Sequence, residues 1–205
     1  MKNASSILPV AIHNNKLYFL FGKENELEDS AKGFSDFGGG VEKGESVLVS
    51  ALREGSEELT GFLGTPEMIK QRLKKTGTYK IEHTFEDKGN KYTVFIFPIL
   101  YDTALLEYFN NTHAFLWKKM DKHMLNKTKL FEKIKIDWFC EDDLEKRMPE
   151  YRPFYKEIVH HIIQDKAKIR KFIVGKCKQT RKYQDYIVRK MCSAHNITKK
   201  YQGGK

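Results

Sequence analysis

The fold is decided by the stretch from Gly38 to Gly61, which reads GGGVEKGESVLVSALREGSEELTG. Its glutamates Glu54, Glu57 and Glu58 are spaced i, i+3 and i+4, so a helix would carry all three carboxylates on one face. Like charges this close repel one another, and a hard divalent cation with oxygen ligands, Mg²⁺ or Mn²⁺, would offset that repulsion. The alternative interpretation is a solvated acidic helix face that binds nothing.

The residues around the glutamates predict a glycine turn followed by an amphipathic helix. Glycines at 38–40 allow a crowded backbone before the helix and close approach of a substrate. Ser46 is expected to cap the helix N-terminus, and Arg53 lies four residues before Glu57, which predicts a salt bridge. The apolar stripe that should pack on a sheet consists of Leu48, Leu52, Gly55 and Leu59.

This stretch resembles the Nudix box, G-x5-E-x7-R-E-U-x-E-E-x-G-U, where U is an apolar residue. The fixed polar and glycine positions are matched by Gly39, Glu45, Arg53, Glu54, Glu57 and Glu58. Three positions depart from the pattern, because Gly55 and Gly61 replace apolar residues and Thr60 replaces the glycine. These departures affect packing and the exit turn but leave the carboxylates in place. The resemblance covers roughly residues 5–170.

The resemblance implies a divalent-metal-dependent hydrolase of a phosphoanhydride. It assigns Glu54, Glu57 and Glu58 to the metal, with Arg53 beside them in the catalytic group. Either Glu57 or Glu132 would accept the proton of the attacking water, since Glu132 stands just ahead of a late strand where several Nudix proteins carry a further metal-binding glutamate. The expected substrate contacts are Gly38, Gly39, Gly40, Lys23 and Glu45, with Lys32 or Lys43 as further cationic contacts.

Apolar periodicity along the rest of the chain predicts an α+β fold. Two β-hairpins are expected, residues 6–12 with 17–21 and residues 78–85 with 91–99. Helical patterns occur over 66–75, over an insertion at 103–125 with core aromatic residues, and from Pro153 onward, while 130–144 predicts a strand and then a helix starting at Glu141. The resemblance adds a mixed sheet between layers of helices, so the prediction is a Nudix-like α/β/α sandwich over residues 1–171 and a basic C-terminal extension over 172–205.

The net charge of +10 is concentrated near the C-terminus. Residues 164–205 contain 13 Lys or Arg and 2 Asp, whereas the rest of the chain has 24 basic and 25 acidic residues. Basic segments of this kind typically bind polyanions such as nucleic acid, although a solvated targeting tail is the alternative. The expected nucleic-acid contacts are Lys176, Lys178, Arg181, Lys182, Arg189 and Lys190.

The substrate is the least determined part of the prediction. The resemblance implies a nucleoside diphosphate linked to another group, and the basic extension favours capped RNA, in the manner of an mRNA-decapping enzyme. Two alternatives stay open: a pyrophosphatase of a small soluble substrate (a nucleotide sugar, dinucleoside polyphosphate or inositol pyrophosphate), and a non-catalytic RNA-binding Nudix scaffold. Oligomeric state is not predicted.

The expected location is a reducing, cytoplasmic compartment. The sequence has no apolar run long enough to predict a membrane span or a signal peptide. Its three cysteines, Cys140, Cys177 and Cys192, are too widely spaced for a zinc site. The composition, rich in Lys and Asn, resembles that of proteins of large DNA viruses.

Overall fold

The computed structural model describes residues 3–26, 32–86, 89–128 and 132–175. Strands β1 (Asn3–His13) and β2 (Lys16–Glu24) form an antiparallel hairpin, which confirms the first predicted hairpin. Its turn residues Asn14 and Asn15 have φ values of 46° and 58°. Asparagine tolerates this left-handed conformation, which two-residue hairpin turns need to match the twist of their strands.

The central layer is a mixed sheet. In it, the strand that contains glycines 38–40, called the glycine strand below, pairs with β1. Its other described strands are β3 (Phe34–Ser35), β4 (Phe37–Gly40), β5 (Tyr79–Thr84), β6 (Lys91–Pro98) and β7 (Lys133–Cys140). Strand β1 is parallel to β6 but antiparallel to β2 and β4. The β5–β6 pair is antiparallel, as in the second predicted hairpin, and β7 pairs with β2. The predicted mixed sheet is therefore confirmed.

Helices cover both faces of this sheet, which confirms the predicted α/β/α sandwich. They are α1 (Val47–Glu58), α2 (Pro66–Thr76), α3 (Thr103–Lys119), α4 (Lys122–Thr128) and α5 (Tyr155–Gln164), and residues 166–175 are also helical. One core joins α1, α2 and α3 to the sheet through residues such as Leu52, Leu73 and Phe109. A second core, on the opposite face, contains Ile158 of α5 and Ile173.

Two predicted helices differ in detail from the structure. The insertion predicted over 103–125 is two helices, and Phe115 of α3 is 61% exposed instead of lying in the core. The prediction of a helix starting at Glu141 is wrong, because residues 141–147 form turns that lead into a short 3-10 helix, Met148–Glu150. Pro149 has no backbone N–H and cannot continue an α-helix at that point.

The long helix predicted from Pro153 begins two residues later, at Tyr155. It is interrupted only by a turn at Asp165 before the chain becomes helical again over 166–175. This last helix crosses the predicted domain boundary at residue 171. Residues 176–205, which include all six predicted nucleic-acid contacts, lie outside the described part of the chain.

The contact at Gly55 accounts for one departure from the Nudix pattern. A Cβ atom on Gly55 would overlap Cδ1 and Cγ1 of Ile7 on β1. The Ile7 side chain therefore fills the space that an apolar side chain at position 55 would need. Glycine at this position lets α1 pack closely on the sheet.

A second departure from the Nudix pattern, Thr60, leads to a prediction about the stability of the fold. Thr60 has φ of 46°, a left-handed conformation that is strained for a β-branched residue. Its hydroxyl oxygen is buried without a hydrogen-bond partner within the described ranges. We expect Thr60→Gly to raise the free energy of unfolding by about 1 kcal/mol, after the higher entropy of unfolded glycine is subtracted. Urea denaturation measures this change.

Thr60→Ser is the matched control, because serine retains both the hydroxyl and the left-handed position but lacks the β-branch. Its stability should lie between those of the wild type and Thr60→Gly. A Thr60→Gly variant less stable than the wild type would contradict the assignment of strain to this residue.

Two of the remaining predictions concern membranes and cysteines. No helix in the described ranges is long and apolar enough to cross a membrane. Cys140 has a free thiol, while Cys177 and Cys192 lie beyond the described residues.

Candidate active site

The candidate site forms where α1 packs against the glycine strand β4. Ser46 caps α1 by accepting a hydrogen bond from the backbone N–H of Val49 at 3.3 Å, as predicted. One turn later, the Ser50 hydroxyl donates to the carbonyl of Gly40 at 3.1 Å. These two contacts fix where α1 starts and how it lies on β4, so Glu54 and Glu58 face the glycine backbone.

The guanidinium of Arg53 binds three carboxylates. Its Nε and Nη2 bind the two oxygens of Glu45 at 2.9 and 3.0 Å, and its Nη1 binds Glu54 at 2.8 Å and Glu57 at 3.3 Å. The predicted Arg53–Glu57 salt bridge is therefore confirmed, and the two hydrogen bonds from Arg53 to Glu45 are shorter. Hydrogen bonding by Arg53 lowers the pKa of Glu45 to about 2.

Glu54 lies directly against Gly39. A Cβ atom on Gly39 would be 2.5 Å from the Glu54 carboxyl carbon, so this carboxylate occupies space that only glycine leaves open. Burial raises the pKa of Glu54, and the hydrogen bond from Arg53 opposes that rise.

Glu58 is the innermost of the three box carboxylates. Its side chain is 5% exposed, whereas that of Glu57 is 62% exposed. The backbone N–H of Gly38 donates to Oε2 of Glu58 at 2.8 Å, and the ammonium of Lys133 lies 3.2 Å from Oε1. Burial raises the pKa of Glu58 well above its ordinary value, and the charge of Lys133 opposes this rise.

Three charged residues beside Glu58 had no predicted role. Lys133 is fully buried and binds the Glu24 carboxylate, while its Nζ also donates to the Ser35 hydroxyl at 3.0 Å. Arg152 binds the same oxygen of Glu24 at 2.5 Å. Glu24 is the last residue of one apolar strand, and Lys133 is the first residue of another. A charged residue at the end of a buried strand is the sequence signal that pointed to Glu24 and Lys133.

The other predicted site residues lie at different distances from this group. Glu132 stands immediately before β7, as predicted, and its charge acts on the carboxyl of Glu58. Lys23 is exposed on β2, and its charge acts on Glu150. Lys32 donates to the carbonyls of Asn25 and Glu26, and Lys43 is exposed. Glu132 is therefore within electrostatic range of Glu58, and the structure shows no contact between the box glutamates and these lysines.

The donor chemistry of this site fits a hard divalent cation. As the side chains stand, no three His, Cys, Asp or Glu groups in the described ranges converge closely enough to hold a metal ion. Arg53 draws Glu54 and Glu57 to one side, and Lys133 binds Glu58. The donors are nevertheless all carboxylate oxygens on neighbouring turns of α1, which is the ligand type that Mg²⁺ and Mn²⁺ prefer.

A separate buried carboxylate, Asp36, lies between β3 and β4. It accepts hydrogen bonds from the hydroxyls of Ser6 and Tyr92, the latter at 2.6 Å. Burial raises the pKa of Asp36 to about 6, although the hydrogen bonds from Ser6 and Tyr92 oppose the rise. The protonated carboxyl is thus favoured in the folded chain under mildly acidic conditions.

This shift predicts how stability depends on pH. The folded state binds a proton at Asp36 between about pH 4 and pH 6, where the unfolded state has already lost it. The resulting stabilisation is present below about pH 4 and disappears as the pH rises through about 6. We expect the free energy of unfolding of the wild type, relative to that of Asp36→Asn, to fall by about 2 kcal/mol between about pH 4.5 and about pH 7.5.

Urea denaturation of both proteins at the two pH values measures this difference. Asp143→Asn, at an exposed position, is the control and should follow the wild type. An equal pH dependence in the wild type and Asp36→Asn would contradict the prediction.

No protein-family model matches the chain, and no curated protein sequence matches it. Among solved structures it is similar to an Ap4A hydrolase of C. elegans, with 11% identity over 82% of this chain and 99% of that one at a TM-score of 0.47. It is similar to the Nudix hydrolase RenU of M. smegmatis, with 11% identity over 82% and 87% of the two chains at a TM-score of 0.49. A MutT protein of Methanosarcina mazei Go1 gives 14% identity over 80% and 94% at a TM-score of 0.46.

Proposed function

We propose that this chain is a divalent-metal-dependent hydrolase of a phosphoanhydride, that is, a Nudix-type pyrophosphohydrolase. The observation that carries the proposal is the placement of Glu54 and Glu58 against the glycine strand β4, with Glu57 beside them on α1. A solvated acidic helix face would not bury one of its carboxylates, as Glu58 is buried here. Mutually repelling acids beside a strand without side chains suit a site that recruits a cation and then an anionic substrate.

The residues of the chain would divide the work of hydrolysis among them. Glu54, Glu57 and Glu58 would hold Mg²⁺ or Mn²⁺, which when bound neutralises phosphate oxygens and makes a bound water more acidic. Glycines 38–40 give the substrate access to the carboxylates, and Arg53 holds Glu54 in place.

The general base is either Glu57 or Glu132. Glu57 is mostly exposed and can therefore meet a substrate and an attacking water without a change in the core. Glu132 acts electrostatically on Glu58, so it is close enough to influence the same group of carboxylates.

For the substrate, we propose a nucleoside-diphosphate-linked compound, with capped RNA as the favoured member of that class. The support is the excess of basic residues over 164–205. The described start of this segment is anchored to the body, because Arg170 binds Glu141 and donates to the carbonyl of Asn15 at 2.9 Å. An RNA chain bound by the basic segment would therefore be tethered to the domain that carries the carboxylates.

Purified full-length protein with Mg²⁺ and a panel of substrates tests this proposal. The panel contains capped RNA, dinucleoside polyphosphates, nucleotide sugars and inositol pyrophosphates. Turnover that is highest on capped RNA supports the proposal, and preference for a small soluble member supports the alternative pyrophosphatase. Absence of turnover on every member would leave only the non-catalytic scaffold.

The basic segment is tested by converting Lys176, Lys178, Arg181, Lys182, Arg189 and Lys190 to glutamine. If these six residues contact RNA phosphates, the slope of log affinity against log salt should become shallower by about 4. A variant with lysine at all six positions retains the charge and is the matched control. Unchanged binding and cleavage of capped RNA by the glutamine variant would refute a role for these residues.

A further inference from the structure

The buried ammonium of Lys133 is the most unusual group in the candidate site. Its Nζ has three partners, the carboxylates of Glu24 and Glu58 and the hydroxyl of Ser35. An ammonium has three N–H donors, so each of them has an acceptor. Two carboxylates in direct contact with a buried ammonium favour its charged form.

The absence of a side chain at Gly22 leaves room for the Lys133 side chain. Gly22 of β2 lies beside it, and a Cβ atom at this position would be 2.9 Å from Cγ and Cδ of Lys133. The register between β2 and β7 also shifts here, because Lys23 pairs with Lys135 but Glu24 pairs with Lys133. This bulge turns Lys133 towards the carboxylates instead of towards the face on which Lys135 is exposed.

Burial makes a lone carboxylate unfavourable, so Glu24 and Glu58 need positive charge nearby. Arg152 binds Glu24, while Lys133 bridges Glu24 and Glu58. Lys133 is therefore a cation in direct contact with Glu58, the innermost of the three proposed metal ligands. Any divalent ion on Glu58 would bind within a few ångströms of this ammonium and would be repelled by it.

We propose that Lys133 is a built-in cation of the candidate site, which orients Glu58 and limits how tightly a divalent metal ion binds there. This inference rests on the proposed function, because it takes Glu58 to be a metal ligand. Lys133 is a positioning residue in this role, since it acts through Glu58 and not on the substrate. The benefit is an inner carboxylate that Lys133 and the Gly38 N–H already orient before the metal ion arrives.

The charge argument predicts opposite effects for the two partners of the buried pair. Lys133→Met removes a positive charge next to Glu58, so Mn²⁺ should bind more tightly, by about tenfold or more. Glu24→Gln leaves Lys133 with Glu58 as its remaining carboxylate partner, so Mn²⁺ should bind more weakly by a similar factor. The double variant Lys133→Met/Glu24→Gln removes one charge of each sign and should return close to the wild-type affinity.

Mn²⁺ alone, titrated into the full-length proteins and followed by electron paramagnetic resonance, tests the proposal without any substrate. Opposite shifts in the two single variants, with recovery in the double variant, support it. Shifts in the same direction, or unchanged affinity in folded single variants, would overturn it. If Lys133→Met does not fold, the comparison of Glu24→Gln with the double variant decides, because the double variant must then bind Mn²⁺ more tightly.

Glu54→Gln separates failure of this inference from failure of the proposed function. If the wild type binds no Mn²⁺, or if Glu54→Gln binds it as the wild type does, the metal site itself is wrong. If Glu54→Gln weakens Mn²⁺ binding but neither Lys133→Met nor Glu24→Gln shifts it as stated, only the role of Lys133 is wrong.

Discussion

Glu57→Gln is expected to lower the rate of phosphoanhydride hydrolysis by about 10²–10⁴-fold while leaving stability almost unchanged. Loss of a carboxylate that binds metal or accepts the water proton removes catalysis of that size. The stability should hold because the Glu57 side chain is 62% exposed and its described contact is a 3.3 Å ion pair with Arg53. Exposed pairs of this kind contribute about 0–1 kcal/mol.

The measurements are initial rates on the best substrate of the panel and urea denaturation of the same preparations. Glu42→Gln is the matched control, because Glu42 is 71% exposed and also lies near Arg53, at 3.8 Å. Glu42→Gln removes the same charge as Glu57→Gln, but on the loop before α1 instead of in the glutamate cluster. Equal activity of the wild type and Glu57→Gln, or equal losses in both variants, would refute the assignment of Glu57.

Gly38→Ala is expected to destabilise the fold by about 3 kcal/mol, at the upper end of the usual cost of overpacking. A Cβ atom on Gly38 would overlap the backbone carbonyl oxygen of Ser5 and lie 2.5 Å from the Cα of Ser6. These are backbone atoms of the paired strand β1, so neither can move aside as a flexible side chain would. The shift of β4 would also withdraw the Gly38 N–H from Glu58.

Gly40→Ala provides a comparison on the same strand. A Cβ atom there meets nothing within 4 Å, so this variant should unfold within about 0.5 kcal/mol of the wild type. Urea denaturation of the two alanine variants measures the difference directly. Similar stabilities of Gly38→Ala and Gly40→Ala would show that the close approach of β4 to β1 does not matter.

The box helix was predictable because its geometry is local. The N-cap at Ser46 and the Arg53–Glu57 ion pair follow from spacing along one helix, and both are present. The hairpins were predictable for the same reason, since alternation and a short polar turn specify each of them. The mixed sheet and the sandwich followed from the resemblance to the Nudix box and not from periodicity.

The inner part of the site could not be predicted because it depends on contacts between distant parts of the chain. Simple alternation along β7 would place Lys133 on the same face as the exposed Lys135, and the bulge opposite Glu24 reverses this. Asp36 likewise becomes a buried hydrogen-bonded carboxylate through residues far along the chain, such as Tyr92. Neither the bulge nor these partners leave a mark in the local sequence.

The aromatic residues of the insertion show the limit of reading periodicity as burial. Phe109 is buried, whereas Tyr108 and Phe115 on the same helix are 65% and 61% exposed. Only one side of α3 contacts the sheet. The prediction of core aromatic residues on this helix is therefore right for Phe109 and wrong for Phe115.

The contact of Gly55 with Ile7 implies that these two positions share one volume. In related chains, a larger apolar residue on α1 at this point should be accompanied by a smaller one on β1, because close packing leaves no room for two. A change at either position alone would open a hole or force the helix away from the sheet. The helix that carries the glutamates would then move with it, so mutations at these two core positions should be accepted in evolution as a pair.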